Sequence, residues 1–139
     1  MYKPIHFEIY ELVPKEIYKK YTEEEILTRF FSIGMLKTID QLRERFGELT
    51  INNWYWNGNR NASGLRVPGS EYYNYKSAHA HGKAFDIISV NYSAQEMRTY
   101  IMNNQGEFPY IARIEDNVKW LHIDDINIDA RTEIYLFNI

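Results

Sequence analysis

Apolar positions recur along the chain with two different periods. Near the N-terminus, Ile5, Phe7 and Ile9 alternate with polar neighbours, which predicts a short strand or extended arm over residues 5–10. Pro14 suits the first position of a helix running from Lys15 to Tyr21, because its missing N–H is not needed there. Thr22 and Glu25 form a capping-box pattern and predict a second helix through Phe30 or Phe31. Met35, Ile39, Leu42 and Phe46 then recur at helical spacing, with Gly47 as the stop. Residues 49–56 are β-branched and aromatic and read as a strand. Residues 57–75, rich in Gly, Asn, Ser and Pro, read as a long loop of a length that often carries function. A strand over 83–90 carries Phe85, Ile87 and Ile88. Ser93 and Glu96 form a second capping box that opens a helix to about Asn104. Gly106 and Pro109 break the chain. Residues 110–114, 119–124 and 133–138 read as three more strands, with a turn at Asp116-Asn117. Helices followed by strands with one intervening helix predict an α+β domain, its mostly antiparallel sheet flanked by helices.

Composition narrows the class. A chain of 139 residues that is 45% hydrophobic and 16% aromatic can build one well-packed domain. Its twelve tyrosines and three tryptophans suit a cleft wall as well as a core edge. A formal charge of −3 with no long basic run argues against nucleic acid as the main partner. Cysteine is absent, which excludes disulfides and thiolate metal sites. The sequence shows neither a signal-peptide pattern nor an apolar run of membrane-spanning length, so the expectation is a chain made in the cytosol with no membrane partner. Nothing in the sequence requires more than a monomer.

The chain has four histidines, and three lie in two short stretches, Ser77-Ala78-His79-Ala80-His81-Gly82-Lys83-Ala84-Phe85-Asp86 and Trp120-Leu121-His122-Ile123-Asp124. Imidazole and carboxylate are the usual ligands of a catalytic zinc, which takes three protein groups and keeps a fourth position open. His79, Asp86 and His122 are therefore the candidate zinc ligands, with the site at the sheet. Gly82 allows a turn or a close backbone approach between the first two. Asp124 projects from the same strand face as His122. It either accepts a hydrogen bond from the ligating imidazole or only caps the strand end.

These residues resemble the zinc D-alanyl-D-alanine carboxypeptidase family, which includes D-Ala-D-Ala dipeptidases and the L-alanyl-D-glutamate endopeptidases of phage lysins. The resemblance rests on Ser77-x-His79-x-x-Gly82-x-Ala84-x-Asp86 and on Trp120-x-His122-x-Asp124. A third segment, Ser63-Gly64-Leu65-Arg66, is similar to the family's Ser-Gly-aromatic-Arg, with Leu65 in place of the aromatic residue. It covers roughly residues 35–125, and residues 1–30 are an N-terminal addition outside it.

The resemblance implies a Zn2+ held by His79, Asp86 and His122, and an Arg66 that reaches a carboxylate or carbonyl of the substrate. His81 falls at a variable position and is expected to line the cleft without binding metal. Ser77 is expected to contact substrate or brace the motif loop, and Trp120 to pack under the site or in the core. The implied reaction is metal-assisted hydrolysis of a peptidoglycan stem peptide, at a D,D or an L-alanyl-D-glutamate bond. A carboxylate would take a proton from water and pass it to the leaving amine. The chain departs from the family at one point. The usual catalytic Glu or Asp stands three residues before the second histidine, and here that residue is Lys119. Glu115, followed by Asp116, is the candidate replacement from the predicted turn. The implied source is a phage or prophage, with action on the cell wall after assisted release or from a virion. The alternative is a non-catalytic zinc-containing binding or structural module that keeps the fold.

Overall fold

The computed structural model describes residues 1–138. Its four α-helices are α1 (Lys15–Lys20), α2 (Glu23–Arg29), α3 (Ile33–Phe46) and α4 (Ala94–Asn103). Local capping explains where they begin. Thr22 Oγ1 accepts the Glu25 N–H at 3.2 Å, and the Glu25 carboxylate accepts the Thr22 N–H at 3.0 Å. Ser93 and Glu96 repeat the exchange at 3.0 and 2.9 Å. Each pair satisfies donors that a helix start leaves open. Pro14 sits at the N-cap of α1 with extended backbone, one position before the place expected. Gly47, at φ 78°, ends α3.

Five strands follow: β1 (Leu49–Thr50), β2 (Ala84–Ser89), β3 (Arg113–Glu115), β4 (Leu121–Asp124) and β5 (Tyr135–Phe137). Their order in the sheet is β1-β2-β4-β3-β5. Every neighbouring pair is antiparallel except β3 with β5. The domain is α+β with a mostly antiparallel sheet, as the order of elements predicts.

The period of two along the strands gives the sheet two chemically distinct faces. Phe85, Ile87, Ile114, Leu121 and Ile123 enter the core with Met35, Leu36, Ile39 and Leu42 of α3 and Met97 and Ile101 of α4. The alternate positions carry Asp86, His122 and Asp124. Register places Asp86 directly opposite His122, and Arg113 opposite Asp124.

Of the two readings for residues 5–10 the arm holds and the strand does not, and the strand expected over 49–56 forms only in part. Residues 5–10 make no ladder, and Ile9–Glu11 is a 3-10 turn. The arm is held instead by the buried Asp40 of α3. Its carboxylate accepts the N–H groups of Ile5 and His6 at 2.8 and 3.0 Å, and the Tyr2 hydroxyl. Phe7 and Ile9 thus reach the core without a strand partner. In the stretch 49–56 only Leu49–Thr50 pairs with β2, and Trp54–Trp56 turns as a 3-10 helix. Hydrogen bonds from distant chain override the strand propensity of this run. The Asn52 N–H donates to Glu11 O at 2.9 Å and Trp54 Nε1 donates to Val13 O at 2.9 Å. Among the described residues no helix is long and apolar enough to cross a membrane.

Candidate metal centre

His79, Asp86 and His122 come together, buried, from three separate elements. His79 lies in a 3-10 turn over Ala78–His81, while Asp86 and His122 are neighbours on β2 and β4. Ser77 starts the turn, its Oγ accepting the His79 N–H at 3.2 Å. Gly82 ends it at φ 65°, in the left-handed region. A Cβ on Gly82 would stand 1.5 Å from the Phe30 carbonyl oxygen, so the position has no room for any side chain.

The Ser63–Arg66 segment holds the cluster through successive residues. Ser63 O accepts the Asp86 N–H at 2.7 Å, Gly64 O faces His79 Nδ1 at 2.9 Å, and the Arg66 N–H donates to His79 O at 3.1 Å. Gly64 is itself packed against residue 12, because a Cβ there would lie 2.1 Å from Leu12 O.

The hydrogen-bond chemistry of the three side chains favours a cation between them. Gly64 O can only accept, so His79 carries its proton on Nδ1 and, as a neutral ring, presents a lone pair at Nε2. That Nε2 is buried and lacks an aligned hydrogen bond, although Asp86 Oδ1 is only 3.2 Å away. Two acceptors facing each other in a buried site cost about 1–3 kcal/mol per unpaired group unless something positive lies between them. His122 Nδ1 approaches the same Asp86 oxygen at 2.9 Å, while Nε2 meets Asp124 Oδ2 at 2.9 Å. Separations of 2.9 and 3.2 Å are close to the ~3.3 Å edge of a tetrahedron with zinc-like bonds of about 2.0–2.1 Å.

The electrostatic surroundings of the cluster point the same way. Burial pulls the His122 pKa down, but hydrogen bonds to Asp124 and Asp86 overcome it and lift the value to about 9. Burial raises Asp86, and the hydrogen bond with His122 and the close approach of His79 outweigh that and hold it below the usual carboxylate range. The surroundings of His122 and Asp86 thus favour positive charge beside the carboxylates.

Glu115 is buried at the end of β3. The β3–β4 register runs Arg113 to Asp124 and Ile114 to Ile123. One further step sets Glu115 beside His122, on the face that carries Asp86. Burial lowers the Arg66 pKa, and the nearby charges of Asp86 and then Glu115 offset part of that, which sets Glu115 near the guanidinium. Its carboxylate makes no hydrogen bond to another described residue. Asp116 goes elsewhere: it lies 3.7 Å from Arg98 Nε of α4 and accepts the Asn117 N–H.

Arg66 Nη2 donates to Asp86 Oδ2 at 3.0 Å and Nε to Ala62 O at 2.7 Å, so much of its fork is engaged within the protein. It lines a cleft of about 390 Å3 together with Asn59, Ser63, Tyr72, Asp86 and Trp120. Trp120 is a wall of this cleft and not a core residue. His81 is exposed, donates to or accepts nothing at the cluster, and pairs through Nε2 with Tyr75 O at 2.8 Å. Lys119 is exposed. A larger groove, about 610 Å3 between α3 and α4, is lined by Phe46, Tyr92 and Tyr100 and contains none of the cluster residues. Chemistry therefore selects the smaller cleft.

Sequence reasoning missed Asn52 and Arg60. The buried Asn52 side chain accepts the Ser63 N–H at 2.9 Å and donates to Val13 O at 3.2 Å. Arg60 reaches Ile51 O at 2.9 Å and Asp86 O at 3.3 Å. An asparagine within an apolar strand-like run was the available signal, because a buried amide needs partners. No protein-family model, curated protein or solved structure matches this chain.

Proposed function

We propose that this protein is a zinc-dependent peptidase of the D-alanyl-D-alanine carboxypeptidase kind, acting on peptidoglycan stem peptides. The observation that carries the reading is the buried His79–Asp86–His122 group beside an unpaired carboxylate, Glu115, on one sheet face. His79 Nε2, Asp86 Oδ1 and His122 Nδ1 would hold the metal. A bound zinc supplies Lewis acidity, bringing the pKa of water toward about 7 and polarising a carbonyl.

The chain's own groups account for the rest. Glu115, free of internal hydrogen bonds, takes the proton of the attacking water and returns it to the leaving nitrogen. It replaces the carboxylate that Lys119 displaces from the family position. Arg66 keeps Asp86 oriented and lies at the cleft wall, where its charge suits a carboxylate or carbonyl of the peptide. Tyr72 and Trp120 line the same cleft as Arg66 and offer the peptide aromatic surface. His81 lies away from the cluster, which leaves three protein ligands and suits a catalytic rather than a closed structural site.

The test is release of defined fragments from purified peptidoglycan, read by mass, with zinc-loaded protein. Glu115→Gln is expected to keep one zinc and lose about 10²–10⁴ in rate. Asp116→Asn is expected to keep both zinc and rate. Zinc at one equivalent with no fragment from any wall type would replace the enzyme reading with that of a binding module.

A further inference from the structure

The carboxylate behind His122 is itself clamped. Arg113 Nε donates to Asp124 Oδ1 and Oδ2 at 2.9 and 3.1 Å, and Nη2 donates to Oδ2 at 2.8 Å. Asp124 is 0% exposed, so this two-pronged contact is shielded from water. The same carboxylate accepts the Ile126 N–H at 3.2 Å and faces His122 Nε2 at 2.9 Å. The Arg113 guanidinium lies over the Phe137 ring at 4.2 Å, and Phe137 meets His122 edge-on at 5.6 Å. Arg113, Asp124, His122 and Phe137 thus form a closed ring of contacts across β3, β4 and β5.

This ring constrains one degree of freedom that the metal centre depends on. A carboxylate held by one bond can rotate about its side-chain torsions. A carboxylate gripped by a guanidinium fork has its plane fixed, because both oxygens are engaged by a rigid group. Oδ2 is then aimed at Nε2, and the imidazole can satisfy it only with Nδ1 turned toward Asp86 Oδ1. Phe137 packs edge-on against the same imidazole.

We infer that Arg113 is a positioning residue of the metal centre, acting through Asp124 to hold His122 Nδ1 at the ligand position. This rests on the metal-centre reading given above and extends it to a residue that touches neither metal nor substrate.

A double-mutant cycle on zinc affinity tests it, using zinc competition against a chromophoric chelator. Arg113→Gln and Asp124→Asn are each expected to weaken zinc binding about 10–100-fold. The double variant is expected to be no weaker than Asp124→Asn alone, because Arg113 has no other route to the metal. Arg113→Lys keeps the charge but not the fork and is expected to fall between wild type and Arg113→Gln. Nitrogen NMR of the zinc-loaded protein supplies a second readout, with His122 protonated at Nε2 in wild type and that signal broadened or lost in Arg113→Gln.

A brace that serves only stability would lower thermal midpoints and leave the zinc affinity of the folded variants unchanged. Wild-type affinity in Arg113→Gln, or full additivity in the double variant, overturns the inference while the metal centre stands. Should Arg113→Gln fail to fold, wild-type affinity in Arg113→Lys overturns it equally. If wild type itself binds no zinc, both the metal-centre reading and this inference fall.

Discussion

His79 has a carbonyl at one ring nitrogen, and that single bond decides what the other nitrogen can do. With Nδ1–H committed to Gly64 O, Nε2 is left as a buried lone pair next to Asp86. His79→Ala is therefore expected to abolish zinc uptake at one equivalent, measured by metal analysis after gel filtration, while Asp116→Asn leaves it intact. His81→Ala is expected to leave zinc content unchanged, since its ring pairs with Tyr75 O on the exposed side of the turn. Tyr2 gives a residue-scale prediction on pH. Burial, followed by the hydrogen bond to Asp40, raises its phenol from 10.0 to about 12. A folded pKa above the unfolded one means that its contribution to stability is complete below pH 10 and is lost as pH rises through about 12. The check is a difference titration of wild type against Tyr2→Phe. A phenol titrating in the ordinary tyrosine range would show that the arm is not docked on Asp40.

At the scale of elements, Gly82 and Gly64 mark close backbone contacts between the segments around the candidate metal centre and the N-terminal part of the chain. Gly82 combines a left-handed backbone with a Phe30 carbonyl in the space of its missing side chain. Gly64 meets Leu12 O in the same way, while the next residue, Leu65, donates its N–H to that oxygen at 3.0 Å. Gly82→Ala carries a left-handed penalty of about 1–2 kcal/mol for an L-residue, and the backbone collision adds to it. Both Gly82→Ala and Gly64→Ala are expected to destabilise the fold by about 2–4 kcal/mol, read by urea denaturation, and to weaken zinc binding. The capping boxes offer a contrast. Thr22→Ala is expected to cost about 1 kcal/mol without changing zinc affinity, because its exposed cap bonds lie within α2 and its N-cap. A Gly82→Ala protein as stable as wild type would show that the turn is not packed against residues 30–31.

For the whole molecule, the N-terminal thirty residues are structural support for the site and not an appendage. Leu12 and Val13 are fully buried, Leu12 O backs Gly64, Val13 O holds Asn52 and Trp54, and Phe30 backs Gly82. Removing residues 1–30 is expected to leave an unfolded chain with no zinc site, seen by circular dichroism and metal analysis. Zinc would in turn join the 78–81 turn to two strands. Chelation is expected to remove about 2.7 kcal/mol if free zinc had been held at a hundred times its Kd, lowering the unfolding midpoint by roughly 10 °C. The residues determined by themselves what is local. Thr22, Ser93 and Gly47 set helix ends because their partners lie within four positions, and donor chemistry singled out His79, Asp86 and His122, which the fold gathers into a group able to hold a metal ion. Residues 5–10 form the arm and not the strand, and only Leu49–Thr50 of 49–56 pairs, because Asp40 and Val13, far along the chain, supply partners that outweigh local propensity. The sequence ranked Glu115 ahead of Asp116 as the candidate base, but only the register across β3 and β4 sets Glu115 beside His122, and only the packing of α4 turns Asp116 toward Arg98. That register, the backing of both glycines and the clamp on Asp124 are contacts between segments distant in sequence, and only the folded chain brings them together.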